Sequence, residues 1–377
     1  MRIGIMLRAF DEKGGIGVYA RNITRHLIER GPEHQFILYF TNDHHVNKFD
    51  RFPNVTARSV SGPGKIVWDQ ISMPFRFRRD ALDVIFHPKF TVPLLCPGRS
   101  VMVLHGAGWF IPETRQFWSR TTLLYTRIMM PIYCRLAGAV LSVSDITRDV
   151  FIDRLGVSPE KITTVYFAPG TQFNTRLPPE RIEAIREKYR LPRDFILTLS
   201  GSDRGDRKNF SNILDAFRNI HSVDPRPLVV AGRGCDQFRS RYDIPDDGFG
   251  NHIHFPGWVD QEDLPALYQM ATVFLYPSNM EAFPIPITEA LVSGIPIVTS
   301  NQFGLKELAG DAAALVDPSN PDEITEAVLD LLRNKARREQ LRQRALERSK
   351  LFDWDRCARQ TLHILEAIGQ HSDPSRC

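Results

Sequence analysis

The sequence predicts an α/β protein built from two doubly wound, parallel-sheet domains in tandem. Three observations carry this reading. Strand-like apolar runs alternate with helix-like segments over almost the whole chain. The alternation breaks once, near 173–191, and then restarts. A length of 377 residues suits two domains of ordinary size better than one. Hydrophobic residues at 42% and charged residues at 24% exclude a disordered, collagen-like or coiled-coil chain.

In the first half, runs rich in β-branched and aromatic residues at 2–7, 35–40, 83–86, 100–104, 139–143 and 162–166 read as strands. Helical patterns fall at 17–30, 118–136 and 145–155. The segment 173–190 contains Pro178-Pro179 and a charged run, and it reads as a linker with a short helix. Beyond it, strands are expected at 195–201, 227–232, 252–255, 272–276, 295–299 and 313–316. Helices are expected near 209–220, 262–270, 285–293 and 322–333. A charged helix at 335–350 and an amphipathic one at 354–368 close the chain. The expected domains are therefore 1–172 and 191–353, with the helical tail from about 354 to 377 packing back on the first.

Charge narrows the partners. Residues 1–172 hold 22 Lys+Arg against 14 Asp+Glu, a net +8. Residues 173–377 hold 26 against 30, a net −4. A basic first half fits an anionic partner or a solvated basic surface. No recognition motif accompanies the charge, so nucleic acid is not expected. No apolar run approaches the length of a membrane-spanning helix. The N-terminus carries Arg8 and no small-residue cleavage site, and reads as a first strand rather than a signal peptide. Five scattered cysteines without metal spacing point to a reduced, cytoplasmic setting and no metal site.

Four motifs carry chemistry. Lys13-Gly14-Gly15-Ile16-Gly17 follows the first strand and opens a helix; it is either a tight turn or a close approach to a phosphate or sugar. Arg204-Gly205-Asp206-Arg207-Lys208-Asn209 follows the strand ending at Gly201, where cations suit a phosphate and also suit a solvated turn. Glu281 and Glu289 stand eight positions apart across a turn into a helix; they could grip sugar hydroxyls or be ordinary helix-end acids. His105 ends a buried strand, a position open to ligand contact or to a structural role.

The order of these features resembles the retaining glycosyltransferases of family GT4, the glycosyl transferases group 1. The resemblance runs through GGIGVYARNI, LSVSDITRDV, PLVVAGRG, HFPGWVDQEDLPALYQMATVFLYPS and EAFPIPITEALVSGIPIVTSNQFGLKELAGDAAALVDP. It implies the GT-B architecture, with two Rossmann-like domains facing a central cleft. It also implies a donor site formed by Gly14, Gly15, Gly201, Arg207, Lys208, Val259, Phe283, Pro284, Ile285 and Glu289. Glu281 would hold the transferred sugar, Glu289 the ribose, and Lys208 the diphosphate, with His105 beside the reacting carbon. His105, Lys208 and Glu281 are thus the expected catalytic residues, and Tyr19, Trp109 and Arg115 the expected acceptor contacts. Two departures stand out. Glu281-Ala282-Phe283-Pro284 replaces the usual Glu-Gly-Phe-Gly, and Ser202 stands where many members carry an arginine.

The resemblance implies transfer of a hexosyl group, with mannosyl favoured, from GDP-mannose or a UDP-sugar to a hydroxyl of a glycan or lipid-linked acceptor, with retention; no Asp-x-Asp motif stands in a suitable place, so no metal or other cofactor is expected. A non-catalytic sugar-nucleotide or glycan-binding protein is the alternative. Aromatic and basic residues interleave at 74–79 and 109–127, which adds an expectation of peripheral contact with the inner membrane face. The oligomeric state is not legible.

Overall fold

A computed structural model describes residues 1–12, 14–96, 99–201, 206–246 and 248–370. Lys13, Ser202, Arg204 and Cys377 lie outside the described residues. The chain forms two compact units. The first comprises Met1–Arg115, Ser119–Ala168 and the chain from Phe352; the second comprises Gln116–Trp118 and Pro169–Leu351.

Among the described residues, the first unit carries a seven-stranded, all-parallel sheet: β1 (Arg2–Met6), β2 (Gln35–Phe40), β3 (Val55–Ser59), β4 (Val84–His87), β5 (Ser100–Leu104), β6 (Ala139–Ser142) and β7 (Ile162–Thr164). Its order is β3-β2-β1-β4-β5-β6-β7. Its helices are α1 (Gly15–Arg30), α2 (Lys65–Val67), α3 (Met73–Arg79), α4 (Arg120–Leu136) and α5 (Asp145–Leu155). Burial on both faces explains why β1, β2, β4 and β5 are nearly continuous apolar runs.

The second unit begins with a 3-10 turn at Thr171–Asn174 and α6 (Pro179–Lys188). The segment expected as a linker is thus tied into this unit: Leu177 N–H donates to Gln269 Oε1 at 3.1 Å, and Arg181 pairs with the buried Asp263 at 2.6 Å. Its six-stranded parallel sheet contains β8 (Ile196–Leu199), β9 (Leu228–Ala231), β10 (Ile253–Gly257), β11 (Val273–Tyr276), β12 (Ile297–Ser300) and β13 (Ala314–Val316). The order is β10-β9-β8-β11-β12-β13. Its other helices are α7 (Phe210–His221), α8 (Phe238–Arg241), α9 (Leu264–Met270), α10 (Ile285–Ser293), α11 (Phe303–Ala309), α12 (Pro321–Arg333) and α13 (Lys335–Ser349). The chain then returns to the first unit as α14 (Trp354–Gln370), whose Trp354, Cys357, Ala358 and Leu365 are buried. Trp354 packs on Tyr19 and Phe167, and Asp355 pairs with Arg30 of α1.

Both sheets reverse their winding once, between β1 and β4 and between β8 and β11. In open α/β sheets the crevice at the carboxyl ends of such strands is where ligands bind. Both chemistry-bearing loops of the second unit leave these strands. Lys208 follows β8, and Glu281 follows β11. In the first unit the glycine loop follows β1, and His105 follows β5.

Cys96, Cys134, Cys235 and Cys357 are buried. Among the described residues no helix is long and apolar enough to cross a membrane.

The glycine loop owes its shape to one position. A Cβ on Gly17 would meet the Glu12 carbonyl oxygen at 1.8 Å, while one on Gly14 would meet nothing within 4 Å. Arg21 of α1 reinforces the approach by donating to the carbonyls of Phe10 (2.6 Å) and Glu12 (3.1 Å). Gly17→Ala should therefore push the 10–12 turn off α1. The strain of such overpacking costs about 1–3 kcal/mol, and thermal unfolding should show a loss of several degrees. Gly14→Ala should leave the melting temperature unchanged.

Candidate active site

The loops after β8 and β11 are stitched together by hydrogen bonds to backbone carbonyls. Asn279 N–H and Ser278 Oγ both donate to the Arg207 carbonyl at 2.9 Å. Asn209 adopts a left-handed conformation (φ 63°) just before α7 and donates from Nδ2 to the Pro277 carbonyl at 2.9 Å and the Pro318 carbonyl at 2.6 Å. Asp206 caps α7 by accepting from Phe210 N–H at 2.7 Å and Ser211 N–H at 3.0 Å.

This frame brings two cations to one carboxylate. Lys208 Nζ lies 2.5 Å and Arg207 Nη1 lies 2.7 Å from Glu281 Oε1. Tyr276 donates its hydroxyl to the same oxygen at 3.0 Å, and Lys208 also reaches the Tyr276 hydroxyl. Burial raises the Glu281 carboxyl, but Arg207 and Lys208 outweigh it and hold the group down to about 2. Glu281 is ionised at any working pH.

Glu289 has the opposite environment. It is the fifth residue of α10, 6% exposed, and its partner is the Tyr268 hydroxyl, which donates to Oε2 at 2.8 Å. Burial pushes its carboxyl up to about 7, against the lowering pull of Tyr268 and Lys208. Lys208 thus acts on both carboxylates.

The start of α10 offers few donors to an anion. Pro284 and Pro286 have no N–H, and Ile287 N–H is spent on the Pro284 carbonyl at 3.0 Å. Among the expected backbone donors of 283–285, Phe283 and Ile285 are the two that carry an N–H. Gly304 of α11 presses on this turn: its N–H donates to the Glu281 carbonyl at 3.0 Å, and a Cβ there would meet the Ala282 carbonyl oxygen at 2.2 Å. Gly201 packs against the Arg233 backbone, with 3.0 Å from its would-be Cβ to the Arg233 carbonyl oxygen. The Arg233 guanidinium lies over the Trp258 ring at 5.2 Å. Trp258 is exposed and the Val259 side chain is buried, so at Val259 the backbone is what a ligand can meet.

In the first unit, His105 Nε2 lies 2.8 Å from the Pro88 carbonyl. A carbonyl only accepts, so Nε2 carries the proton and Nδ1 keeps its lone pair. Burial pushes this imidazole down to about 4, so it is neutral at neutral pH. Lys89 and Glu12, which pair with each other beside the glycine loop, lie within electrostatic reach of the ring.

The expected acceptor contacts divide. Arg115 is exposed, and Trp109 is partly buried with its ring edge-on to Phe90 at 5.1 Å. Tyr19 corrects the expectation. It is 1% exposed and wedged among His105, Phe167 and Trp354, so it supports His105 from behind and presents no surface to an acceptor. Tyr276, Tyr268, Arg233 and Gly304 are contributions that the motifs did not single out, and Asn209, part of the cationic motif, acts by clamping the loops. Tyr276 closes the strand before the Glu281 turn, and that adjacency is the one signal available in the sequence.

Comparison with known proteins follows the same division of the chain. The profile of the glycosyl transferases group 1 matches residues 181–348, and that of Glycosyltransferase Family 4 matches residues 13–168. The chain belongs to glycosyltransferase family 4. This glycosyltransferase is 31% identical over 296 residues to O-antigen chain mannosyltransferase B of Escherichia coli, covering 77% of this chain and 76% of that one. It is 27% identical over 224 residues to the serotype-specific mannosyltransferase WbdA of Escherichia coli, covering 58% of this chain and 27% of WbdA. Among solved structures, HepE of Anabaena in complex with UDP-glucose superposes with a TM-score of 0.74 at 17% identity, covering 97% of this chain and all of that one. The fold is thus the GT-B fold of two parallel-sheet units, and the protein is an enzyme of glycosyl transfer with mannosyltransferase relatives.

The raised Glu289 carboxyl has a consequence for stability. Its native value of about 7 lies above that of an unfolded glutamate, near 4.3. The native state therefore keeps a proton that the unfolded chain has released. The resulting stabilisation is complete below about pH 4, falls as pH rises through 7, and is gone above it. Glu289→Gln, neutral at every pH, should melt like the parent at acid pH. At pH 8 it should melt several degrees higher, on the order of 3 kcal/mol for the second unit.

Proposed function

We propose that this glycosyltransferase moves a mannosyl group from GDP-mannose to a hydroxyl of a glycan acceptor, lipid-linked or free, with retention of anomeric configuration. The observation that carries the donor chemistry is the cluster of Lys208 and Arg207 on Glu281 at the switch point of the second sheet. The 31% identity to O-antigen chain mannosyltransferase B supports the choice of mannose.

As the glycosidic bond breaks, negative charge builds on the departing diphosphate. Lys208 and Arg207 are already held in place to meet it, which is electrostatic stabilisation without reorganisation. The diphosphate competes with Glu281 for both cations, and this releases the Glu281 carboxylate to accept hydrogen bonds from the sugar hydroxyls. Glu289 accepts from the ribose hydroxyls, and losing its proton strengthens that acceptance. Neutral His105 offers Nδ1 to a hydroxyl of the transferred sugar. Retention follows from attack on the same face as the leaving group, with a donor phosphate oxygen taking the acceptor proton. No Asp-x-Asp motif stands in a suitable place, and the two cations supply the charge that such a motif would recruit through a metal.

Thermal unfolding against GDP, UDP, ADP and dTDP, each with and without EDTA, tests the donor. GDP should raise the melting temperature by several degrees in EDTA, since saturation at a hundred times Kd adds about 2.7 kcal/mol. The GDP shift should grow between pH 6 and 8 as Glu289 ionises. Lys208→Ala should abolish the shift, and Glu281→Gln should leave a smaller shift while transfer from GDP-mannose drops by about 1,000-fold, the scale of removing one preorganised electrostatic group. A shift from UDP alone would replace GDP-mannose with a UDP-sugar. Wild-type transfer by Glu281→Gln would sink the assignment.

A further inference from the structure

Nine of the thirteen large apolar side chains exposed among the described residues fall in three short segments of the first unit: 66–75, 94–95 and 124–132. Ile66, Ile71, Phe75, Leu95, Leu124 and Ile128 each expose more than half of their surface. On α4 the exposed apolar residues Leu124, Ile128 and Ile132 recur every four positions and form a stripe along one side. Thr126, Met130, Tyr133 and Cys134 occupy the buried side. The helix is apolar on both sides, which packing against its own unit does not require.

The three segments meet. Gln70 donates to the Val92 carbonyl at 3.2 Å and accepts from Leu94 N–H at 2.8 Å. Cys96 packs in one core with Trp68, Met73 and Phe77, while Val92 packs in another with Met130 and Tyr133 of α4. The loop 92–96 therefore joins the 65–79 segment to α4, and Leu94 and Leu95 project from the junction.

The charge on this face has one sign. Lys65, Arg78 and Arg79 flank the first segment, and Arg120, Arg127 and Arg135 line α4, all exposed. The one acid in 65–79 and 120–136 is Asp69, which is buried and accepts from Arg8 Nε and Nη2 at 2.9 and 3.0 Å. Exposed apolar side chains interleaved with cations and free of exposed acids match the headgroup region of an anionic bilayer. There the apolar groups enter the acyl boundary and the cations meet the phosphates. A protein partner of opposite charge would supply the anions but would not call for Ile66, Phe75, Leu95 and Leu124 to stand apart from one another on separate elements.

We propose that the face formed by 65–79, 94–95 and α4 docks this glycosyltransferase on an anionic lipid bilayer. The docking is independent of the donor chemistry.

Flotation of the full chain with phosphatidylcholine vesicles, with and without phosphatidylglycerol, tests the proposal. The wild type should float with the anionic vesicles and lose most of that binding in high salt. Leu124→Ser combined with Ile128→Ser should lower partition by about tenfold or more, since each loses several buried methylene groups. Arg78→Gln combined with Arg79→Gln should lower it roughly thirtyfold, at about one phosphate-surface interaction lost per arginine. Both variants should keep the thermal shift with nucleoside diphosphate, which shows that they fold. Wild type that stays unbound at low salt, or variants that float like wild type, would overturn the proposal. So would a wild-type dimer that dissociates in the Leu124/Ile128 variant, because the face would then be a self-association surface. Vesicle binding without any nucleotide shift would instead overturn the donor assignment and leave this one standing.

Discussion

Glu281 is the group on which the donor half of the site depends. Lys208 and Arg207 are neighbours in one short loop, and two like charges confined there repel. The carboxylate between them removes the repulsion and fixes both heads within 2.5 and 2.7 Å of one oxygen. Burying a carboxylate is expensive, and the cost is recovered only where the partners are close and the remaining valences are satisfied. A value held down to about 2 in spite of burial says that the partners win. The clamps from Ser278, Asn279 and Asn209 are needed for the same reason, because an ion pair in a loosely held loop would lose in conformational entropy what it gains in attraction. Pro284 and Pro286 sharpen the dependence. With few backbone donors at the start of α10, the charge of a diphosphate falls mainly on the two side chains that Glu281 positions.

The two glutamates show how environment divides identical residues into different tasks. Glu281 faces two cations and a hydroxyl, and is a permanent anion. Glu289 faces a phenol, apolar neighbours and a more remote Lys208, and sits near neutrality. Neutrality lowers the burden of burial in the empty site, yet a protonated carboxyl is the poorer acceptor for two hydroxyls. In the proposed reaction the ligand settles this conflict, because ribose hydroxyls donating to Glu289 favour its charged form and draw the proton off. Stability and binding then respond to pH in opposite senses through one side chain.

The sheets were readable because their central strands are buried on both faces and so appear as plain apolar runs with helices between them. β3 was missed for the converse reason: Val55–Ser59 is an edge strand, half-buried, with polar residues at three of its five positions. Residues 74–79, the end of the helical stretch 65–79, read in the sequence as an aromatic-basic surface. Pro74 and the π-helical turn at Trp68–Ser72 interrupt its period, although Phe77 is in fact core and Phe75 is exposed. Lys208, Glu281 and Glu289 were visible because each sits in a distinctive local motif. Tyr276 and Tyr268 were not, because their pairing with Glu281 and Glu289 exists only in the folded chain, and the clamping role of Asn209 was not, because its partners lie 68 and 109 positions away. Tyr19 illustrates a misreading that helical spacing could have prevented. It stands four positions before Ile23 on the same stripe that ends at Leu27, and that stripe is the buried face of α1.

One loop of the first unit ties its chemistry to its surface. Pro88, just past β4, takes the proton-bearing nitrogen of His105, which sets the tautomer and leaves Nδ1 open. Six residues later the same loop emerges as Leu94 and Leu95, fixed to the 65–79 segment through Gln70. β4 is also the strand at which the winding of the sheet reverses, so the loop leaves the sheet where a ligand crevice forms in this architecture. Were a bilayer to bear on Leu94 and Leu95, as proposed, the load would fall on the loop that also carries the Pro88 carbonyl. For an acceptor carried by lipid, diffusion is restricted to the membrane plane, and docking through this loop would convert a search in three dimensions into one in two. The same few residues would then set both where the acceptor arrives and which nitrogen of His105 meets the transferred sugar.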